Sequence, residues 1–410
     1  MNNDKSRIPD LLPVDDAIAI VIANCSALAH EKVPLTRSVG RVLAEDIIAD
    51  SDLPPFDRSQ MDGYALRAGD TQISPAKLQI VGESVAGRGW HHEMQPGQAV
   101  RIMTGAPVPA GANSVQQVEK TREAGGMVEI LEPVAEGRSI VRRGSEITKG
   151  ETVLRHGERI KVGAVAVLAS FGYAEVLSCR QPRVAVLATG TELVGVHQQP
   201  AQDQIRDSNN HSIAAFAELA GANVERLPLA NDDLRSLAEA VAGAAERADV
   251  VITSGGVSMG AYDFTKTALR ELGAEIFFER VALRPGKPTV FARLPDGMLV
   301  FALPGNPVSV AVSFNLFARP ALLAMQGATE RELIRDWAVL SRPVKGSIDR
   351  ESYLPTRLGT DEVGHLLAEP LKWGGSSDFV GFARAEALIR IPAGVPRVEP
   401  KTVVQILRLP

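Results

Sequence analysis

Between residues 182 and 326, continuous apolar runs alternate with segments of helical period, and three of the runs end in glycine-bearing loops. Arg183–Ala188 ends in Thr189-Gly190. Val250–Thr253 ends in Ser254-Gly255-Gly256, and Met298–Leu303 ends in Pro304-Gly305-Asn306-Pro307. Helical spacing follows over 212–219, 234–247 and 265–272, and again from Val308. Strands apolar on both faces and separated by helices demand a mostly parallel sheet covered on both sides, so this stretch predicts a three-layer α/β unit. Pro295-Asp296-Gly297, between two apolar runs, predicts one antiparallel hairpin within that sheet.

The flanking regions have a different texture. Val14–His30 carries apolar residues at helical spacing, and 33–50 reads as strand-like. From 51 to 138, short alternating runs are broken by Gly, Pro and Asn, which predicts a β-rich unit. Residues 139–178 resume the texture of 14–50. The expected organisation is therefore an elongated discontinuous domain (14–50 and 139–178), an inserted β-rich domain (51–138), the α/β domain (179–326) and a small β-barrel or sandwich over 327–410. A length of 410 residues accommodates that number of units.

Composition excludes several classes. Lys+Arg 44 against Asp+Glu 49 leaves a net charge of −5, so no overall positive field draws the chain to nucleic acid or an anionic membrane. Aromatic residues at 5% offer little for stacking bases. Cys25 and Cys179 are too few for a disulfide framework or a cysteine-rich metal site. The apolar stretch 308–325 is interrupted by Asn315, Arg319 and Pro320, and the first residues lack a signal-peptide pattern. A cytoplasmic protein is expected.

In α/β sheets ligands bind beyond the carboxyl ends of the strands, where the least generic residues of this chain fall. Glycines there let backbone N–H groups approach an anion. Arg284 and Lys287, in Arg284-Pro-Gly-Lys-Pro288, supply charge suited to phosphate or a molybdate-like oxyanion. Glu192, Asp232 and Asp263 each sit just past a strand, where a carboxylate can accept from a guanidine-like ring edge, as in guanine or a pterin, or hold a hard cation such as Mg²⁺. Helix capping is the competing reading for Asp232 and Asp263, and the stronger one for Asp207. Common nucleotide fingerprints fail: Gly190 and Gly195 have P-loop spacing, but Val196-His197 stands where Lys-Ser/Thr belongs. Two islands in the β-rich region, Asp57–Ala65 and Arg101–Pro109, read on their own as hairpin turns.

Taken in order, these islands resemble the MoeA family of molybdopterin molybdenumtransferases, related to the gephyrin E domain. The residues that carry the resemblance are Met61-Asp-Gly-Tyr-Ala, Arg101-Ile-Met-Thr-Gly-Ala-Pro-Val-Pro, Thr189-Gly-Thr-Glu-Leu, Asp207-Ser-Asn, Thr253-Ser-Gly-Gly-Val-Ser, Arg284-Pro-Gly-Lys-Pro and Pro304-Gly-Asn-Pro-Val-Ser. The resemblance implies a homodimer of four-unit chains. It also implies a Mg²⁺-assisted reaction that takes adenylylated molybdopterin and molybdate, releases AMP and leaves molybdenum on the dithiolene. Partners implied are a molybdopterin adenylyltransferase and apo-molybdoenzymes.

By motif match, Asp62, Glu192, Asp263 and Arg284 become catalytic candidates, with Glu192 and Asp62 also candidate metal carboxylates. Substrate-binding candidates are Thr104, Thr189, Gly190, Asp232, Ser254, Gly255, Gly256, Arg280, Lys287, Pro304, Gly305, Asn306, Pro307 and Arg350. The chain departs from the pattern at Arg58-Ser-Gln60, at Gly144-Ser-Glu146, and at Arg280 and Arg284 where some members carry lysine. The segment 374–377 aligns poorly, which leaves Ser376 outside the candidate set. A catalytically silent carrier or scaffold of the same fold is the alternative function.

Overall fold

A computed structural model describes residues 11–231, 233–256, 264–372 and 374–410. The described residues divide into two compact units, one drawn from 11–45, 157–161 and 175–410, the other from 46–156 and 162–174.

The first unit begins with helix α1 (Val14–Ala23) and is built on a six-stranded sheet. Its strands are β1 (Arg183–Ala188), β2 (Asn223–Arg226), β3 (Val250–Ser254), β4 (Glu275–Phe278), β5 (Val290–Arg293) and β6 (Leu299–Leu303), in spatial order β2-β1-β3-β6-β5-β4. Pairings from β2 through β6 are parallel. The expected hairpin is present, with β5 antiparallel to β6, but β4 also pairs antiparallel with β5, so the sheet holds two antiparallel ladders rather than one. Reversing a single strand between two neighbours of common direction produces both.

Alternation along each strand divides the core into two layers. Val184 and Val186 of β1 pack on one face with Ile213 and Ala217 of α2 (Asn209–Leu219), while Ala185 and Leu187 pack on the other with Leu237 and Val241 of α3 (Leu234–Ala245). Helix α4 (Phe264–Glu271) joins that second face through Ala268 and Leu269. Among the described residues one helix, Pro307–Met325, is long and apolar enough to cross a membrane, yet 94% of that window is buried. It is the central core helix of the α/β layer. Strands 335–340, 351–360, 366–370, 387–391 and 403–408 close into a five-stranded barrel through the pairing of 352–356 with 387–391.

The second unit carries a six-stranded sheet in which Gly63–Leu66 lies between Ser114–Gln117 and Gln98–Ile102, antiparallel to both. A Cβ at Gly63 would stand 1.9 Å from the Gln116 carbonyl oxygen, so the close approach of these strands requires glycine.

Candidate functional site

Four loops meet at the carboxyl edge of the sheet in the first unit. Those after β1, β3 and β6 end strands that run toward this edge, whereas 284–288 leads into β5, which starts there because it runs the opposite way. They surround a cavity of about 860 Å³ lined by Thr189, Gly190, Glu192, Ser254, Gly255, Gly256 and the stretch 304–307. The backbones are in close contact. Thr189 N–H donates to the Ser254 carbonyl at 3.0 Å, and a Cβ on Gly255 would stand 2.3 Å from the Thr189 carbonyl oxygen. The Glu192 carboxylate folds over Gly190, where a Cβ would come within 2.6 Å of Oε2.

Asn209, at the start of α2, ties these loops together. Its Nδ2 donates to Ser254 Oγ at 2.8 Å and to the Gly305 carbonyl at 2.7 Å. Thr189 Oγ1 and Asn209 Oδ1 are buried with no hydrogen-bond partner among the described residues, although both residues line the cavity. A buried polar atom left unpaired costs on the order of 1–3 kcal/mol, so these oxygens are suited to accept from a ligand.

A second cavity, about 490 Å³, adjoins the first and shares Pro288, Pro304 and Asn306 with it. Arg284, Lys287 and Arg350 line it together with Gly374, Gly375 and Ser376. The Arg284 guanidinium is held by the Gly346 carbonyl, 2.8 Å from Nη1. Arg350 leans on Asp349 at 3.2 Å, and Lys287 adds a further positive charge to the same lining. Three cations against one carboxylate make the cavity attractive to a compact oxyanion.

Arg280 follows β4 and its carbonyl accepts from Leu12 N–H at 3.1 Å; it lines neither cavity. Asp232 and Asp263 lie outside the described residues. The cap of α3 is Asp233, whose carboxylate accepts from Ser236 N–H at 2.8 Å, so the capping reading belongs one position later than Asp232. Asp207 does act as a local cap, accepting from Asn210 N–H at 3.0 Å. Sequence reasoning left out Asn209, Ser376 and Ser377 as site residues. The first was visible within Asp207-Ser-Asn; the other two had only a Gly-Gly-Ser-Ser stretch to mark them.

In the second unit, Asp62 precedes the strand Gly63–Leu66 and Thr104 follows Gln98–Ile102. Antiparallel pairing of Gly63 with Ile102 brings the two residues together. Asp62 Oδ1 accepts from Thr104 N–H at 2.7 Å and Thr104 Oγ1 at 2.8 Å. The backbone hydrogen bond first, and the hydroxyl second, hold the Asp62 carboxyl below its ordinary range. Arg142 pairs with Asp57 and Arg143 with Asp52, and Arg58 reaches Glu146 at 3.2 Å, so the charged turn 142–146 is tied down within its unit.

Comparison with known proteins covers nearly the whole chain. Residues 12–172 match the family described as MoeA N-terminal region (domain I and II), 185–324 match a probable molybdopterin binding domain, and 338–409 match MoeA C-terminal region (domain IV). A molybdopterin molybdenumtransferase of Bacillus subtilis is 37% identical over 405 residues, spanning 97% of this chain and 94% of its own length. One from Staphylococcus aureus is 36% identical over 389 residues, with 93% and 92% covered. A solved molybdopterin biosynthesis MoeA protein of Pyrococcus horikoshii superposes with a TM-score of 0.83 at 29% identity, over 97% of this chain and 100% of that one.

Proposed function

The chain belongs to the molybdopterin molybdenumtransferase family, transferases of molybdenum cofactor biosynthesis, and on that premise we propose that its two joined cavities bring adenylylated molybdopterin and molybdate together. The larger cavity takes the adenylylated pterin, whose ring and ribose donors pair with Thr189 Oγ1 and Asn209 Oδ1. The smaller takes molybdate, a tetrahedral dianion, on Arg284, Lys287 and Arg350. One observation carries this reading: the cationic cavity opens beside the larger one across Pro288, Pro304 and Asn306.

Cleavage of a phosphoanhydride gains chiefly from positioning and from neutralising charge, and needs no side-chain nucleophile. Arg284 serves that neutralisation, and the N–H groups of the glycine-rich loops orient the phosphates. No cluster of three or more acidic, His or Cys side chains suited to a metal occurs among the described residues. Mg²⁺ characteristically binds through one or two carboxylates plus substrate phosphates, however, and Glu192 in the cavity wall fits that role. When bound there, Mg²⁺ supplies further charge neutralisation on the phosphates. Asp62, oriented by Thr104, is the second metal or water-positioning candidate, and Asp232 and Asp263 are candidate pterin-edge or metal ligands.

Homodimerisation through 14–50 and 139–178, a cytoplasmic location, supply of substrate by an adenylyltransferase and delivery to apo-molybdoenzymes belong to the same proposal. The test mixes purified chain with adenylylated molybdopterin, Mg²⁺ and molybdate. AMP release that depends on molybdate is expected; binding of the pterin without it would favour a silent carrier and refute the enzyme mechanism.

A further inference from the structure

Asn306 borders both cavities, and its side-chain amide is engaged at both ends by the segment 374–377. Nδ2 donates to Ser376 Oγ at 2.8 Å, and Oδ1 accepts from Ser377 Oγ at 3.1 Å. Val308 N–H donates to the Ser376 carbonyl at 3.0 Å. Asp378 secures the far end by accepting from Gly374 N–H at 2.9 Å and Gly381 N–H at 3.1 Å. Ser376 and Ser377 are thus held against the first turn of the core helix.

A serine hydroxyl carries one proton. Ser377 gives its proton to Asn306, so it faces the larger cavity as an acceptor. Ser376 receives a hydrogen bond from Asn306 and keeps its own proton, which is free to be donated into the smaller cavity. Adjacent hydroxyls therefore have opposite polarity, and each lines the cavity that suits it. An anion drawn in by Arg284, Lys287 and Arg350 favours this sense of the amide, because the rotated amide would turn the Ser376 proton inward and present lone pairs to that anion.

We propose that Asn306 is a positioning residue that, acting through Ser376, aims a hydroxyl proton at the oxyanion in the smaller cavity and thereby sets its affinity for molybdate. The inference rests on the smaller cavity being the molybdate cavity.

The test is a double-mutant cycle on the full chain, titrated calorimetrically with sodium molybdate alone. Asn306→Ala and Ser376→Ala are each expected to weaken binding roughly five- to tenfold, and the double variant no further than either single one. In turnover, Asn306→Ala raises KM for molybdate and leaves kcat within about twofold. Asn306→Asp keeps the size and shape of the residue, whose side chain makes no capping hydrogen bond, and so guards against loss of fold. It gives both serines only an acceptor, and is expected to weaken molybdate more than Asn306→Ala does. Additive losses for Asn306→Ala and Ser376→Ala, or wild-type affinity in Asn306→Ala, would overturn the proposal. Absence of molybdate binding by the wild-type chain would instead overturn the cavity assignment, and this inference with it.

Discussion

Gly255→Ala probes the closest backbone approach at the cavity edge. Gly255 has φ +99°, in the region that L residues avoid, and a side chain there costs about 1–2 kcal/mol. The added Cβ would also stand 2.3 Å from the Thr189 carbonyl oxygen and 2.9 Å from Thr189 Oγ1. Backbone cannot yield as the end of a flexible side chain does, so the strand end must shift, adding about 1–3 kcal/mol. The expected loss is about 2–5 kcal/mol. Gly297→Ala in the β5–β6 turn is the control: its φ is +95°, but nothing lies within 4 Å of its Cβ, so only the backbone cost applies. Urea unfolding of both variants, followed by far-UV circular dichroism, isolates the contact, and Gly255→Ala should be the less stable by about 1–3 kcal/mol. A difference below about 0.5 kcal/mol would refute the claim that glycine is needed there for space. KM for adenylylated molybdopterin should rise in Gly255→Ala and stay near wild type in Gly297→Ala.

Glu192→Gln should lower molybdate-dependent AMP release by about a hundredfold or more while leaving the unfolding curve unchanged, measured by single-turnover AMP formation. Lys287→Met should raise KM for molybdate roughly tenfold and flatten its dependence on ionic strength, checked by titrations between low and physiological salt. Thr104→Val removes the hydroxyl hydrogen bond but keeps the backbone one, so the Asp62 pKa should rise part of the way toward its ordinary value, as read by carbonyl NMR. Asp249 is pushed up by burial, but hydrogen bonds from Arg180 and Arg183 outweigh this and hold its carboxyl well below the ordinary range. Its stabilisation is therefore complete above the ordinary carboxylate pKa and is lost as pH falls below it. Asp249→Asn should cost about 2 kcal/mol at neutral pH and progressively less in acid, measured by unfolding across that range.

The α/β unit was legible because its signals are local. An apolar run such as 183–188 announces a strand buried on both faces, and glycines after it announce a loop at the sheet edge. The turn at 295–297 likewise announced the reversal of β5. The second antiparallel ladder, between β5 and β4, follows from which strands become neighbours, and strand order is not written in any local period. Asp232 and Asp233 are equivalent as sequence; backbone geometry at the start of α3 made Asp233 the cap.

Arg284 and Lys287 were recognisable as candidates for oxyanion binding from their own short loop. Their convergence with Arg350 and Ser376 was not, because those residues lie more than sixty positions away along the chain, beyond the helix 307–325. Likewise, the spacing of Asp62 and Thr104 conveys nothing until antiparallel pairing of Gly63 with Ile102 makes them neighbours. By itself, then, the sequence determined the layered α/β unit, the chemistry of its loops and the family resemblance, all of which depend on residue types and short-range order. Tertiary structure alone decided that there are two adjoining cavities, that a segment after the fold's core helix completes the cationic one, and that Asn306 joins them. Those properties depend on closing long stretches of chain and on the direction in which each hydrogen bond points, and neither is encoded at the range over which sequence periodicity operates.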